Sequence, residues 1–363
     1  MTQEQQPRPT DRKRYLIYGV VFAILAFLVY LQFRTWKNFD WATFWNQTGQ
    51  VREHKLYVLG SVALIYMAYF LRAVRWKLFL LPMKKTSVKS LLVPTIVGFT
   101  GLALLGRAGE MIRPYLIARK ADLAFSSQLA VWAVERIFDI GSFAAILISA
   151  IFLAEAPRQL AYYGRFRQAG LAIVALVLIL SLGAAIIYWK GEAVASWIEK
   201  RLAHLASGIG NKLALRIREF RGGLNTIHSM SALLQLIAVS LVMWGIIALA
   251  YWGVMHSYGE AALDRPLSQV PLLMASSMVG SMIQLPGVGG GSQLATISTL
   301  EHVFGASHEL AASCGILLWL VTFVSVVPLG LMLAHRDRLS LRGISAASQQ
   351  QEIDTGLPSS TAL

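Results

Sequence analysis

Long apolar runs separated by basic or glycine-rich breaks dominate this chain. The runs are Tyr15–Phe33, Leu56–Leu81, Val88–Leu105, Ser127–Leu153, Ala169–Trp189, Ser231–His256, Val270–Leu285 and Leu310–Ala334. Most reach the roughly 20 residues that a helix needs to cross hydrocarbon. Val88–Leu105 and Val270–Leu285 are shorter and are interrupted by Pro94, Pro286 and several glycines. The pattern predicts an all-α polytopic membrane protein with about six full crossings and two re-entrant or broken helices.

The order of these elements repeats. A long helix, a broken apolar segment, a Gly-rich polar break, a short helix and another long helix follow one another twice, at approximately residues 56–153 and 231–334. A shift of 180 residues brings Leu105-Gly106-Arg107-Ala108-Gly109 onto Leu285-Pro286-Gly287-Val288-Gly289, Ser127 onto Ser307 and Phe143 onto Phe323. Three crossings separate corresponding helices, so the two units are expected to lie in opposite orientations, an inverted repeat of the kind found in transporters.

Composition agrees with a membrane assignment and redirects the reading of charge. Of the 363 residues 56% are hydrophobic and 14% charged, against about a quarter charged in a soluble domain. The net charge of +14 would fit a nucleic-acid partner if it were evenly spread. Instead the basic residues gather in Arg8–Arg14, Arg72–Lys89, Arg107–Lys120, Lys190–Arg221 and Arg336–Arg342, whereas Glu260–Arg265 and Glu301–Glu309 are neutral to acidic. By the positive-inside rule both termini face the cytoplasm of a cell membrane, the first re-entrant segment enters from the cytoplasm and the second from outside. No nucleic-acid partner is expected.

Residues 1–14 then form a cytoplasmic N-terminus and 15–335 the transmembrane domain. Tyr15–Phe33 has no small-x-small cleavage site after it and is expected to be a retained anchor. Residues 190–227 carry Val194, Trp197, Ile198, Leu202 and Leu205 at helical spacing with Lys and Arg on the other face. That helix suits an anionic leaflet, or equally the protein's own cytoplasmic end. Residues 336–363 lack apolar periodicity and are expected to be disordered. The lone Cys314, in an apolar helix, fits a buried structural thiol.

Three groups of residues carry candidate chemistry. Glu135, Arg136 and Asp139 lie inside an otherwise apolar run, where each unpaired charge costs roughly 2.5–3.5 kcal/mol at mid-membrane. At helical spacing they occupy an arc of about 100°, and Arg136 can reach Asp139 one turn on. The first break, Gly106-Arg107-Ala108-Gly109-Glu110-Met111-Ile112-Arg113, combines glycines that admit a ligand to the backbone with two arginines suited to phosphate, and Glu110 can hold either one. An ordinary positive-inside turn is the competing reading. The second break contains Gln284, Pro286, Gly287, Gly289, Gly290 and Gln293 and is read as an opposing gate, with a helix dipole beginning near Ser292. No metal-ligand pair, nucleophile elbow or Walker loop occurs, so neither a cofactor nor a metal is expected, and the protein is not expected to be an enzyme.

Gly-Arg-x-Gly-Glu-x-x-Arg at Gly106–Arg113, Glu-Arg-x-x-Asp at Glu135–Asp139 and the Pro-Gly-rich element at Pro286–Gly291 resemble the lysylphosphatidylglycerol synthase transmembrane family. The resemblance runs from about Leu56 to Ala334. The family commonly reads Pro-Gly-Gly-Leu-Gly-x-x-Glu in the second break, whereas here Val288 and Gly289 interrupt the glycine pattern and Gln293 replaces the acid. The resemblance implies lipid translocation, with a membrane phospholipid or lipid-linked substrate. Arg107, Glu110, Arg113, Glu135, Arg136 and Asp139 would line its path. The alternatives are an accessory subunit of an envelope-lipid or glycan-modifying enzyme, and an intramembrane transferase using Glu135 or Asp139 as base.

Overall fold

The computed structural model describes residues 39–153, 229–281, 284–285 and 289–337, with single positions between 164 and 190. The expectations for residues 1–38, most of the run Ala169–Trp189, segment 190–227, Pro286, Gly287 and the tail beyond 337 lie outside the described residues.

The described chain is helical. Helices α1 (Trp41–Gln50), α2 (Lys55–Leu80), α3 (Val88–Leu105), α4 (Ile112–Ala121) and α5 (Phe125–Leu153) make the first half. The second contains α6 (Met230–His256), α7 (Val270–Gly280), α8 (Gly291–His302), α9 (His308–Trp319) and α10 (Val326–Arg336). A π-helical turn, Leu320–Val324, joins the last two, so the run expected as one uninterrupted helix is locally widened at Thr322 and Phe323. The tyrosines of α2 bond to the carbonyls there: Tyr69 Oη donates to Thr322 O at 3.2 Å and Tyr66 Oη to Ser325 O at 2.7 Å.

Among the described residues, four stretches are long and apolar enough to cross a membrane, Val88–Ala121 among them. That stretch does not run straight. It turns at Gly106–Met111, a 3-10 segment, and α4 packs back on α3: Gly98 lies against Arg113, Gly101 against Ile112, and Lys84 Nζ donates to Ala121 O at 2.6 Å. A Cβ at Gly109 would meet the carbonyl of Gly101, and Gly106 has a φ of 63°, so glycine is required at both places. The first broken segment is therefore a re-entrant hairpin. The second is its counterpart: α8 folds back on α7 with Gly280 against Gly291, and α9 seats Gly315 against Ile297. The expected element Val270–Leu285 is shorter than its apolar run, since α7 ends at Gly280.

Helices α2 and α6 cross antiparallel through the middle, with Ser61 against Gly253 near one end and Arg75 bonded to Ser240 near the other. Close approach at small residues is how helices pack in lipid, where burial of apolar surface drives little. Across the two halves, Thr100 Oγ1 of α3 donates to Val326 O at 3.3 Å, and a side chain at Gly330 would strike Thr100. The first hairpin enters from the end of the bundle that holds Lys84, Lys85, Lys89, Arg119, Lys120 and Arg336. The second enters from the end that holds Asp40, Glu53, Glu260, Asp264, Glu301 and Glu309, where α1 packs on α9 through Thr48 and Ser313. At that acidic end Asp40 caps α1, and its bonds from Thr43 and Ala42 hold its carboxyl below the usual carboxylate range. Residues 284–285 lie against the tip of the first hairpin, so the two hairpins meet tip to tip.

A buried arginine network at the junction of the two halves

Each hairpin and its neighbours deliver polar side chains to the interior. Arg72 and Arg75 share one face of α2, Glu135, Arg136 and Asp139 one face of α5, and the turn back at Gly109 places Arg113 between them. Arg75 Nη2 reaches Glu135 Oε1 at 2.8 Å and Asp139 Oδ1 at 2.7 Å, while its Nη1 donates to Ser240 Oγ at 3.0 Å. Arg113 engages both oxygens of Glu135, Nη1 to Oε1 at 3.0 Å and Nη2 to Oε2, the two-pronged geometry that guanidinium and carboxylate favour. Arg136 Nη2 reaches Asp139 Oδ2 at 2.9 Å and Glu135 Oε2 at 3.3 Å, and Arg72 Nη1 reaches Asp139 Oδ2 at 3.6 Å. Arg113 also stacks over Trp76 and Phe99, and Arg72 over Phe99.

Four guanidinium groups thus meet two carboxylates. Arg75 and Glu135 are fully enclosed, and Arg113 and Asp139 nearly so, whereas the Arg136 side chain is 37% exposed. Glu135 lies ten residues into α5, about 15 Å along its axis. Side chains at that depth cannot reach the headgroups, and taking each ion out of water costs several kcal/mol that its partners must offset. Two positive charges in excess make this a place that attracts an anion.

Beside the network is a cavity of about 240 Å³. Arg72, Arg136 and Asp139 line it, together with Tyr69, Phe99, Trp244, Tyr251, Ser277 and Thr322 from both halves. A smaller space of about 30 Å³ is bounded by Glu110, Arg113, Trp132 and Arg136, so Arg136 stands in the wall between the two.

The structure brings together Arg113, Glu135, Arg136 and Asp139, and sets Glu110 beside them. It separates Arg107, which is exposed at the hairpin tip and pairs with no described residue. Glu110 forms no ion pair with Arg107 or Arg113, contrary to expectation, because the hairpin turns Arg113 inward to Glu135. Besides Arg136, Arg72, Arg75 and Arg113 reach the same two carboxylates. Arg72 and Arg75, counted in the sequence only as the start of a basic stretch, belong to α2, which continues to Leu80. A pair of arginines three apart, still within an apolar run, was the signal.

The described ends of the second break are paired. Gln284 and Leu285 pair antiparallel with Gly290 and Gly289, and the Gly290 N–H donates to Gln293 Oε1 at 3.0 Å. Gln293 thereby closes the start of α8, a task that needs an acceptor but no charge. Displaced by 180 residues from Arg72, Arg75, Arg113, Glu135, Arg136 and Asp139 stand Trp252, Met255, Gln293, Gly315, Ile316 and Trp319. Among the described residues, the charges of the network come from the first half alone.

No solved structure matches the chain. A relative described as "UPF0104 membrane protein", from Methanothermobacter thermautotrophicus, is 24% identical over 285 residues, covering 75% of this chain and 81% of the relative. The family described as "Lysylphosphatidylglycerol synthase TM region" matches residues 16–330, and with that match over most of its length the chain belongs to this membrane-protein family.

Proposed function

We propose that the protein moves a lipid with an anionic or lipid-linked headgroup between the leaflets of the cell membrane, without a chemical step. One observation carries the reading: an arginine network with two positive charges in excess borders a cavity at the meeting of two re-entrant hairpins. Arg136, the most exposed member, and Arg72, held at 3.6 Å, are the cations with donors to spare for a headgroup. A transferase reading fares worse, since arginines engage both oxygens of Glu135, and Asp139 lies within ion-pair distance of Arg72, Arg75 and Arg136, which makes both carboxylates weak bases. The test is leaflet exchange in liposomes carrying purified protein and fluorescent anionic phospholipids. Exchange above that of protein-free vesicles is expected. Folded protein that speeds no anionic lipid would overturn the proposal and leave the accessory-subunit role.

The basic end of the bundle is proposed to face the cytoplasm, which places both termini there as well. In a Cys314→Ser background, a cysteine introduced at Asp264 is expected to react with an impermeant maleimide on intact cells, and one at Lys85 only after lysis. The reverse labelling would invert the assignment.

A further inference from the structure

Helices α9 and α10 form one apolar run in the sequence, yet each packs with a different hairpin. On α9, Gly315 lies against Ile297 of α8, in the second hairpin. On α10, Gly330 lies against Thr100 of α3, and Leu333 and Ala334 join Val97, Ile112 and Leu116 of the first. The joint between them is the π turn at Leu320–Val324, where the Ser325 N–H reaches back five residues instead of four, to Leu320 O at 2.8 Å. Pro328 stands just beyond and offers no N–H to Val324 O, four residues back, so the helix ladder is weakened here twice over.

Extra donors come from the first half. Tyr66 Oη donates to Ser325 O at 2.7 Å, Tyr69 Oη to Thr322 O at 3.2 Å, and Thr100 Oγ1, which also bonds Ile96 O, reaches Val326 O at 3.3 Å. The hydroxyls of the turn itself stay within their own helix, Thr322 Oγ1 on Leu318 O and Ser325 Oγ on Val321 O. A clasp of neutral hydrogen bonds opens at modest cost, because releasing it strands no charge. It also borders the cavity. Tyr69, Thr322 and Phe323 line the large cavity, and the last two bound a small space against Ser292, Gln293 and Thr296 of α8 as well. A swing at the turn therefore moves a wall of the cavity and changes the angle between hairpins whose tips touch at residues 284–285.

We propose that Leu320–Val324 is the hinge on which the two hairpins part, and that the hydroxyls of Tyr66, Tyr69 and Thr100 are the latch that holds it shut. The purpose of the hinge rests on the transport reading, but its motion is measurable without lipid. The experiment is deuterium uptake, read by mass spectrometry, of the full chain in detergent. The wild type is compared with Tyr66→Phe, Tyr69→Phe and a chain lacking Val324, each checked for its melting temperature. Tyr66 meets Ser325 O outside the described lining of the cavity, so it tests the latch apart from any headgroup contact. Either tyrosine variant is expected to speed uptake in peptides spanning 318–327 about three- to tenfold, the worth of one hydrogen bond, with α6 unchanged. Without Val324 the Ser325 N–H meets Leu320 O at the ordinary spacing of four. Uptake over the same peptides should then slow, and leaflet exchange of anionic phospholipid in liposomes should fall at least tenfold. Unchanged uptake at 318–327 in both tyrosine variants overturns the latch, as does a rise spread evenly over all helices. A folded deletion variant that exchanges lipid at the wild-type rate overturns the hinge, and if the deletion does not fold the tyrosine variants decide. Uptake that responds as expected while the wild type moves no anionic lipid sinks the transport reading and leaves the hinge standing.

Discussion

Glu135→Ala is expected to cost the protein most of its folded population. The carboxylate holds Arg75 from α2 and Arg113 from α4 at once, so its loss strands two enclosed guanidinium groups where neither water nor headgroups can reach them. Removing one partner of a buried ion pair typically costs about 3–5 kcal/mol, a large share of the stability of a protein domain. Arg75→Ala should act alike, because it leaves Ser240 and two carboxylates without their shared donor. The measurement is the melting temperature in detergent together with membrane abundance. Should Glu135→Ala melt with the wild type, the network is not what locks the first hairpin to the crossing helices.

Arg136→Ala is expected to do the opposite, sparing the fold and stopping transport. After its removal Asp139 still has Arg75 at 2.7 Å and Arg72 at 3.6 Å, and Glu135 still has Arg75 and Arg113. Arg136 is the most exposed of the four arginines, so its loss strands no enclosed guanidinium and costs less stability than loss of Arg75. Its position in the wall between two cavities makes it the cation that a headgroup meets. Leaflet exchange should fall at least tenfold in Arg136→Ala and by less in Arg136→Lys, which keeps the charge but loses the planar fork. A stable Arg136→Ala that transports at the wild-type rate would reduce the network to a structural device.

Much of this architecture was legible in the sequence, because lipid leaves the chain few choices. A backbone that enters hydrocarbon must pair its own N–H and C=O groups, so apolar length and glycine breaks mark crossings and hairpins directly. The pairing of Arg136 with Asp139 followed from helical spacing alone. What spacing cannot give is the partner on another helix. Arg72 and Arg75 sit close to Lys77 and Lys84 in the chain and so counted only as positive-inside charge, though burial turns two of these four residues into the counter-ions of α5. Arg113 and Arg107 looked equivalent across one glycine-rich turn. The left-handed backbone at Gly106 and the close approach of Gly109 to Gly101 decide which faces inward, and such geometry leaves no trace in composition.

Binding charges drawn from one half set a thermodynamic limit on the proposed transport. Trp252, Met255, Gln293 and Ile316 stand 180 residues on from the arginines, so the described charges that would hold an anion all come from the first half. By detailed balance, unequal affinity alters how fast each direction is traversed but not the final distribution, which the chemical potentials of the two leaflets fix. The arginines therefore cannot act as a pump. A singly charged headgroup crossing the field does feel about 2.3 kcal/mol per 100 mV, enough to bias its distribution roughly fiftyfold. In a membrane negative inside, that bias drives anionic lipid outward, and it vanishes when the potential is collapsed.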